Sequence, residues 1–502
     1  MFPVTPAVFD PVAWWARVDG ARIALIEAES GRRHSYHALH LDAERWSARL
    51  ARWGIAQGDR VAILAQNRAE FIPLLFACIR RGAILVPLNW RLSPPELARV
   101  LRDSAPATIL GEDRLRTLGE QALTAANLQP TPEWRDLDRD IAIEHDVAPP
   151  SPARAVDDTT MLLYTSGSTG APKGVMIPHR QLLWNAVATT TAWRIGADDV
   201  GPIVTPFFHT GGWNVFTTPM LFRGGTIVLT NGFDPDGYFD MLEQFGVTLA
   251  FGVPTQLAMV RETASWGHPL PALRTFLSGG APCAQRIKDE VRRAGYRFRE
   301  GYGLTECGPN CFATTDQTAI EKDGTVGWPV PFLEMRLRDS DARDVDTGSV
   351  GELELRGPQL FGGYFRAPEL TADVMTVDGW LRTGDLASRD ADGVYTIRGR
   401  RKEMFISGGE NVFPGEVETA LLDCPGVREV TVIGIANEQW GEVGCALVVR
   451  DDARLTASVL LTHARTRLAG YKVPKRVQFV DAIPRLGSGK IDRRAATALI
   501  EL

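Results

Sequence analysis

An α/β fold is predicted, with a large N-terminal domain of mixed, largely parallel sheets and helices over residues 1–400 and a small α+β C-terminal domain over residues 401–502. Three observations carry this. The chain of 502 residues exceeds what one hydrophobic core usually organises. Up to about residue 400, short Val/Ile/Leu-rich runs alternate with helical patterns: RVAILAQ, EFIPLLFACIRRG and AILVPLN, and later TIVLT and TLAFGVP. Such alternation marks βαβ units, whose ligands bind in loops at the carboxyl ends of the strands. After GVYTIRGRRKE the pattern turns short and mixed: a helix around Glu416–Leu422, strands VREVTVIGI and CALVVR, a helix ASVLLTHARTRLAG, a strand RVQFV and a Gly-rich end. Residues 145–157, rich in Pro, Ala and Asp, read as an exposed connection.

Composition narrows the function classes. With 44% hydrophobic and 23% charged residues the chain is of ordinary globular make-up. A net charge of −6 gives no global positive field for nucleic acid or anionic lipid, so any phosphate-binding surface must be local. Six scattered cysteines do not form a secreted disulfide framework, and a reducing cytoplasm is the simpler expectation. Cys307 and Cys311 lack neighbours to complete four metal ligands. No apolar run reaches membrane-spanning length. Trp14 and Trp15 are expected to pack against their own domain.

The strongest local signal is TSGSTGAPKG, residues 165–174, between the strand-like runs MLLYT and VMIPH. Thr165, Ser166, Gly167, Ser168, Thr169 and Gly170 let backbone and hydroxyl donors converge on phosphate oxygens, and Lys173 adds a positive charge. The spacing is not that of a P-loop, and no helix pattern begins directly behind the lysine. A flexible linker would not explain Pro172-Lys173-Gly174 between two strands.

This segment resembles the phosphate loop of the adenylate-forming superfamily of acyl-CoA synthetases, luciferases and peptide-synthetase adenylation domains. Further motifs of that superfamily follow in order: Gly280-Ala281-Pro282, Gly301-Tyr302-Gly303-Leu304-Thr305-Glu306, WLRTGDL with Asp385, Gly399-Arg400-Arg401-Lys402-Glu403, Ser407-Gly408-Gly409 through Pro414, and PRLGSGK ending at Lys490. The resemblance implies an AMP-forming acid–CoA ligase that uses ATP, Mg²⁺ and coenzyme A. It implies that Tyr302 stacks on adenine, Thr305 bonds the α-phosphate, Glu306 ligates Mg²⁺, Asp385 accepts the ribose hydroxyls with Arg400 beside it, and Lys490 serves adenylation. The small domain is expected to rotate about Lys402 between half-reactions, exchanging Lys490 for the Gly408–Gly409 loop, which leaves room for pantetheine. Trp440 and Tyr471-Lys472 are candidates for the CoA nucleotide, with core packing the alternative for Trp440.

By position relative to these motifs, the acyl pocket is expected from Phe207-Phe208-His209, Gly211, Gly212, Trp213, Val253, Ser278, Gly279, Gly280 and Gly303. His209 stands where amino-acid-activating relatives carry an Asp, which disfavours an amino acid substrate. A medium- or long-chain fatty acid threading past Gly211–Gly212 is the first expectation, and an aryl acid of benzoate or cinnamate type the alternative. A separate carrier protein in place of CoA, a luciferase-like oxygenase and an ATP sensor share the nucleotide motifs; a homodimer is left open.

Overall fold

The structure is a computed structural model describing residues 8–138, 152–166, 172–281, 283–486 and 490–500; for Ser166 it describes the backbone alone. Gly167, Ser168, Thr169, Gly170 and Pro282 of the expected phosphate and acyl loops therefore lie outside the described residues, as does much of the 145–157 connection. Residues 152–157 run as loop and turn.

The first sheet has six strands in the order Glu133–Asp136, Thr108–Gly111, Arg60–Leu64, Ile84–Pro87, Thr159–Ser166, Pro172–Pro178. All neighbours are parallel except the last two, which form an antiparallel pair with Thr165 opposite Lys173. Val61, Ala62, Ile63 and Leu64 have no exposed surface, because both faces of a parallel strand are covered and an uninterrupted apolar run suits it. The crossover helix Phe71–Arg81 is buried from Phe71 to Ile79 and stops at Gly82, whose φ of 77° lies in the left-handed region.

A second sheet orders Arg33–Ser35, Ile23–Glu27, Thr226–Leu229 and Val200–Ile203, and a third, all parallel, orders Leu249–Phe251, Thr275–Gly279 and Phe298–Gly301. Four of these strands position the site. Val200–Ile203 leads to His209, Leu249–Phe251 to Val253, Thr275–Gly279 to Gly280 and Phe298–Gly301 to Tyr302, each from its carboxyl end.

The stretch before residue 400 departs from the expected alternation. Strands Glu334–Arg338, Val350–Arg356, Leu381–Arg389 and Tyr395–Arg400 make a wholly antiparallel sheet. Two of its connections, DSDARDVDTGS and DADG, are turn-rich and too short for a parallel crossover, so hairpins result.

From residue 405 the chain builds a separate sheet of Phe405–Ser407, Glu410–Val412, Val427–Asn437, Gly441–Arg450 and Arg476–Phe479, with helices Pro414–Leu422 and Ala457–Arg465. It has its own core of Phe405, Val417, Leu421, Val432, Val448 and Leu460.

One buried histidine ties the segment just ahead of the helix Pro11–Asp19 to the site's supporting helix. His179, 4% exposed, opens the helix His179–Trp193, and its Nε2 accepts the Phe9 N–H at 3.0 Å. Burial pulls its pKa from 6.5 down to about 4. The unfolded chain therefore takes up the proton first, so stability is full above pH 6.5 and declines as pH falls toward 4. The loss can reach about 3 kcal/mol for a full one-proton difference over that window. His179→Gln, which keeps an acceptor and cannot titrate, is expected to flatten the fall of Tm between pH 7 and pH 4.5; parallel Tm curves for the two proteins would refute this.

Candidate active site

The centre of the site is a buried phenol, carboxylate and guanidinium. Asp385, 4% exposed, sits on the strand Leu381–Arg389 opposite Arg400. Arg400 Nε meets Asp385 Oδ1 at 2.7 Å, and the Tyr302 hydroxyl donates a short hydrogen bond to Oδ2. Burial raises the Asp385 pKa, opposed by Arg400 and by the Tyr302 hydrogen bond. Burial, and then the Asp385 charge, holds the Tyr302 phenol far above its usual range. Burial works to lower the Arg400 pKa, and the negative charge of Asp385, with smaller help from Glu403 and Glu306, outweighs it.

The structure adds partners to two of the expected site residues. The Tyr302 ring packs edge-on against Phe312 with centroids 5.7 Å apart and its hydroxyl is engaged by Asp385, so it stands as a support for that carboxylate as well as a candidate adenine platform. Each Asp385 oxygen carries one protein partner, Arg400 on Oδ1 and Tyr302 on Oδ2, and each retains a second lone pair that can accept a ribose hydroxyl.

The turn after Gly301 presents Thr305 and Glu306. Gln181, fully buried on the helix His179–Trp193, donates from Nε2 to the Thr305 carbonyl at 2.9 Å. The Phe361 N–H donates to the Glu306 carbonyl at 2.7 Å. The Tyr364 hydroxyl donates to Glu306 Oε1 at 2.8 Å, and Lys173 Nζ lies 5.0 Å from the centre of the Tyr364 ring. Gly303 is half-buried and packs against the Gly308–Pro309 backbone, where a side chain would not fit.

Among the described residues no group of three or more His, Cys, Asp or Glu is placed to hold a metal ion. Magnesium carried on phosphate oxygens asks for one or two carboxylates rather than a full protein cage. Glu306 meets that need, since among the described residues only its Oε1 has a partner.

Lys490 closes the cleft from the C-terminal side. It hangs from a hairpin in which the Leu486 N–H donates to the Lys490 carbonyl at 2.8 Å and Asp492 N–H to the Pro484 carbonyl at 2.8 Å. The side chain stays open to solvent, yet the surrounding protein and the Arg400 cation lower its pKa, with Glu306 and Asp385 pulling the other way. The lysine thus shares one electrostatic neighbourhood with all three motif residues. This pose is held by Arg286, whose Nη2 donates to the Val427 carbonyl at 3.1 Å and whose backbone N–H donates to Asp423 Oδ1 at 3.3 Å.

The acyl segment is fixed from below. Asn67 donates to the Thr205 carbonyl at 3.1 Å and accepts the Phe207 N–H at 3.0 Å, so one amide holds the strand exit. His209 caps the short helix Thr210–Asn214 and its ring lies 4.6 Å from Phe208. Trp213, expected in the pocket lining, is fully buried: its indole donates to the Phe207 carbonyl at 2.6 Å and its ring packs on Phe207 and Phe71. It is the floor beneath the segment. Gly212 packs its backbone closely on the preceding loop, where a Cβ would meet the Pro206 carbonyl oxygen at 2.6 Å, so no larger residue fits there. Ser278 and Gly279 are buried within their strand, whereas Gly280 and Ala281 are exposed and Val253 is half-buried.

On the small sheet, Ser407 pairs with Glu410 across Gly408–Gly409, whose φ values of 61° and 88° suit a two-residue hairpin turn. The Gly408 N–H donates to the Trp440 carbonyl at 2.8 Å, and Trp440 is 42% exposed, so core packing does not account for it. Lys472 is ion-paired with Glu416 at 2.7 Å. Tyr364, Gln181, Asn67 and Arg286 were missed in the sequence. Only Gly362-Gly363 before an aromatic residue offered a signal, and it was too short to read.

The AMP-binding enzyme family matches residues 12–365, and the AMP-binding enzyme C-terminal domain matches residues 416–490. The chain belongs to the AMP-binding enzyme family. It is 40% identical over 493 residues to a feruloyl-CoA synthase of Amycolatopsis sp, covering 98% of this chain and 96% of that protein. It is 32% identical to the long-chain-fatty-acid–CoA ligase FadD13 of Mycobacterium tuberculosis, covering 93% of each. Among solved structures, the o-succinylbenzoate CoA synthetase of Bacillus subtilis in complex with its acyl-adenylate intermediate superimposes with a TM-score of 0.88 at 29% identity, covering 97% of each chain. The protein is an AMP-forming acyl-CoA synthetase of the adenylate-forming superfamily, with ATP, magnesium and coenzyme A as its reactants and cofactors. Among the described residues no helix is long and apolar enough to cross a membrane.

Proposed function

We propose that the enzyme is an aryl-acid–CoA ligase that works by two half-reactions in one cleft. In the first, the acid's carboxylate oxygen attacks the α-phosphorus of ATP, a P–O bond forms and pyrophosphate leaves. In the second, the CoA thiolate attacks the acyl carbon, a C–S bond forms and AMP leaves. The observation that carries this reading is the position of Lys490, brought from the C-terminal hairpin into the neighbourhood of Glu306, Asp385 and Arg400. A mobile cation there offsets the repulsion between an incoming carboxylate and the α-phosphate.

In this reading the Lys173 loop and Thr305 bond the phosphates and Asp385 anchors the ribose, with Tyr302 holding that carboxylate in place. Glu306 would hold magnesium, which when bound supplies charge neutralisation on the phosphates. Arg400 and Lys490 are both cations, so their mutual repulsion favours Lys490's departure once negative charge has left as pyrophosphate. The segment from 401 onward then turns about Lys402 and brings Gly408–Gly409 and Trp440 toward the acyl carbon as the CoA side of the site. A site for ATP and CoA turnover of this kind belongs in the cytoplasm.

The acid is taken to be aromatic, the alternative of the sequence expectation rather than the fatty chain. The Phe71–Phe207–Trp213 cluster gives the segment 205–213 an aromatic support, which suits a flat acid. The 40% identity to a feruloyl-CoA synthase supports the same choice. Pyrophosphate and AMP release with Mg-ATP and CoA is the test, over a panel of cinnamic, benzoic, indoleacetic and C8–C16 fatty acids. CoA-dependent turnover with kcat/KM about tenfold or more higher on a cinnamic-type acid is expected, the scale at which pocket shape discriminates. Preference for C12–C16 acids would overturn the aryl reading, and pyrophosphate release indifferent to CoA would point to a carrier protein as acceptor.

A further inference from the structure

The segment after Pro358 touches both halves of the triphosphate site. The Phe361 N–H bonds the Glu306 carbonyl at 2.7 Å. From there residues 362–365 run antiparallel along the strand Pro172–Pro178: Gly362 N–H to the Met176 carbonyl at 2.9 Å, Met176 N–H to the Gly363 carbonyl at 3.0 Å, and Phe365 N–H to the Gly174 carbonyl at 2.8 Å. The strand they extend is the one that carries Lys173.

Tyr364 stands at the middle of this strap and is 7% exposed. Its N–H donates to Thr371 Oγ1 at 2.9 Å, which fixes the backbone from the far side. Its hydroxyl reaches Glu306 Oε1 at 2.8 Å while its ring faces Lys173 Nζ at 5.0 Å. The contact with Glu306 is local to the side chain, since the backbone of Glu306 is already held by Phe361 and that of Thr305 by Gln181.

We propose that Tyr364 is a positioning residue for ATP binding, whose hydroxyl selects the Glu306 rotamer presented to magnesium and whose ring holds the Lys173 ammonium beside it. A carboxylate with one oxygen bonded to a rigid phenol keeps the other aimed in a fixed direction, so less side-chain freedom is lost when a hard cation arrives. A lysine ammonium over an aromatic face is oriented without being neutralised, unlike one paired with a carboxylate, and stays able to bind phosphate. The inference rests on the ATP half of the proposed function and is independent of which acid is used.

The test is the Kd of ATP by calorimetry, with magnesium and in EDTA, for the wild type, Tyr364→Phe and Tyr364→Leu. Tyr364→Phe keeps the ring, so the EDTA value is expected to stay within about twofold while the tightening produced by magnesium shrinks about tenfold, the size of a lost hydrogen bond to a charged group. Tyr364→Leu is expected to weaken the EDTA value as well, through Lys173. In a Glu306→Gln background, Tyr364→Phe should have no further effect on the magnesium-dependent part. Mn²⁺ binding followed by EPR gives a second readout that needs no acid or CoA. A Tyr364→Phe protein whose magnesium-dependent tightening equals that of the wild type would overturn the proposal. So would equal weakening with and without magnesium alongside a lowered Tm, because that is the signature of a packing role alone. Failure of every acid in the substrate panel would leave these binding results untouched.

Discussion

Lys490→Ala is expected to slow acyl-adenylate formation about 10²- to 10³-fold, the scale on which one preorganised electrostatic donor acts, while conversion of supplied acyl-AMP to acyl-CoA changes little. The asymmetry follows from where the charge is needed. Two anions approach each other in the first half-reaction, and Lys490 feels the charges of Arg400, Glu306 and Asp385 at the proposed site of that approach. In the second half-reaction one anion has departed and a thiolate attacks a neutral carbonyl, so a cation at this position has less to stabilise. The lysine belongs to a hairpin held by its own backbone bonds, Leu486 to Lys490 and Asp492 to Pro484, and truncation at Cβ leaves those intact. Pyrophosphate exchange measures the first step and thioester formation from synthetic acyl-AMP the second. Equal loss in both would remove the assignment of Lys490 to adenylation.

The site shows which features a single sequence carries and which it does not. Lys173, Thr305, Glu306, Asp385, Arg400 and Lys490 were singled out because the motifs around them occur together and in the order of the adenylate-forming superfamily; taken alone, Asp385, Arg400 and Lys490 read as surface charges. Their assembly was partly legible too: strand exits at Val253, Gly280 and Tyr302 follow from parallel βαβ units, whose ligands gather at carboxyl ends. The partners of these residues were not legible. The Tyr302–Asp385 bond joins positions 83 apart, Tyr364–Glu306 positions 58 apart and Arg286–Val427 positions 141 apart, and nothing in local pattern announces such pairs. Trp213 was misplaced for a related reason. An aromatic residue beside two glycines reads equally as lining or floor, and only the Phe71 and Phe207 rings from distant and adjacent segments decide for the floor. The antiparallel sheet of 334–400 was missed because its strands resemble those of the parallel sheets, and the turn-rich connections that favour hairpins were not weighed.

Lys402→Pro is expected to leave adenylation near normal and to cut thioester formation on the order of 100-fold. Lys402 stands in the turn that joins Arg400, paired to Asp385 in the first unit, to Phe405, which begins the small sheet. The turn is closed by Glu403 and Met404 N–H groups, both donating to the Arg400 carbonyl at 3.1 Å, so its geometry is tied to the adenylating pose. In the proposed thioester pose Gly408–Gly409 would reach the cleft through a large dihedral change within these few residues, and the Arg286–Val427 contact, which spans the pivot, would part at the same time. Proline fixes φ near −65° and restricts the residue before it, which suits a turn and opposes its inversion. A mismatch of about 3 kcal/mol in the second pose corresponds to the rate loss stated. Single-turnover transfer from enzyme-bound acyl-AMP to CoA reads this step directly. A Lys402→Pro enzyme with wild-type overall turnover would show that the dihedral change occurs elsewhere, and Arg286→Ala would then separate the alternatives, since loosening that contact should speed entry into the thioester pose wherever the pivot lies.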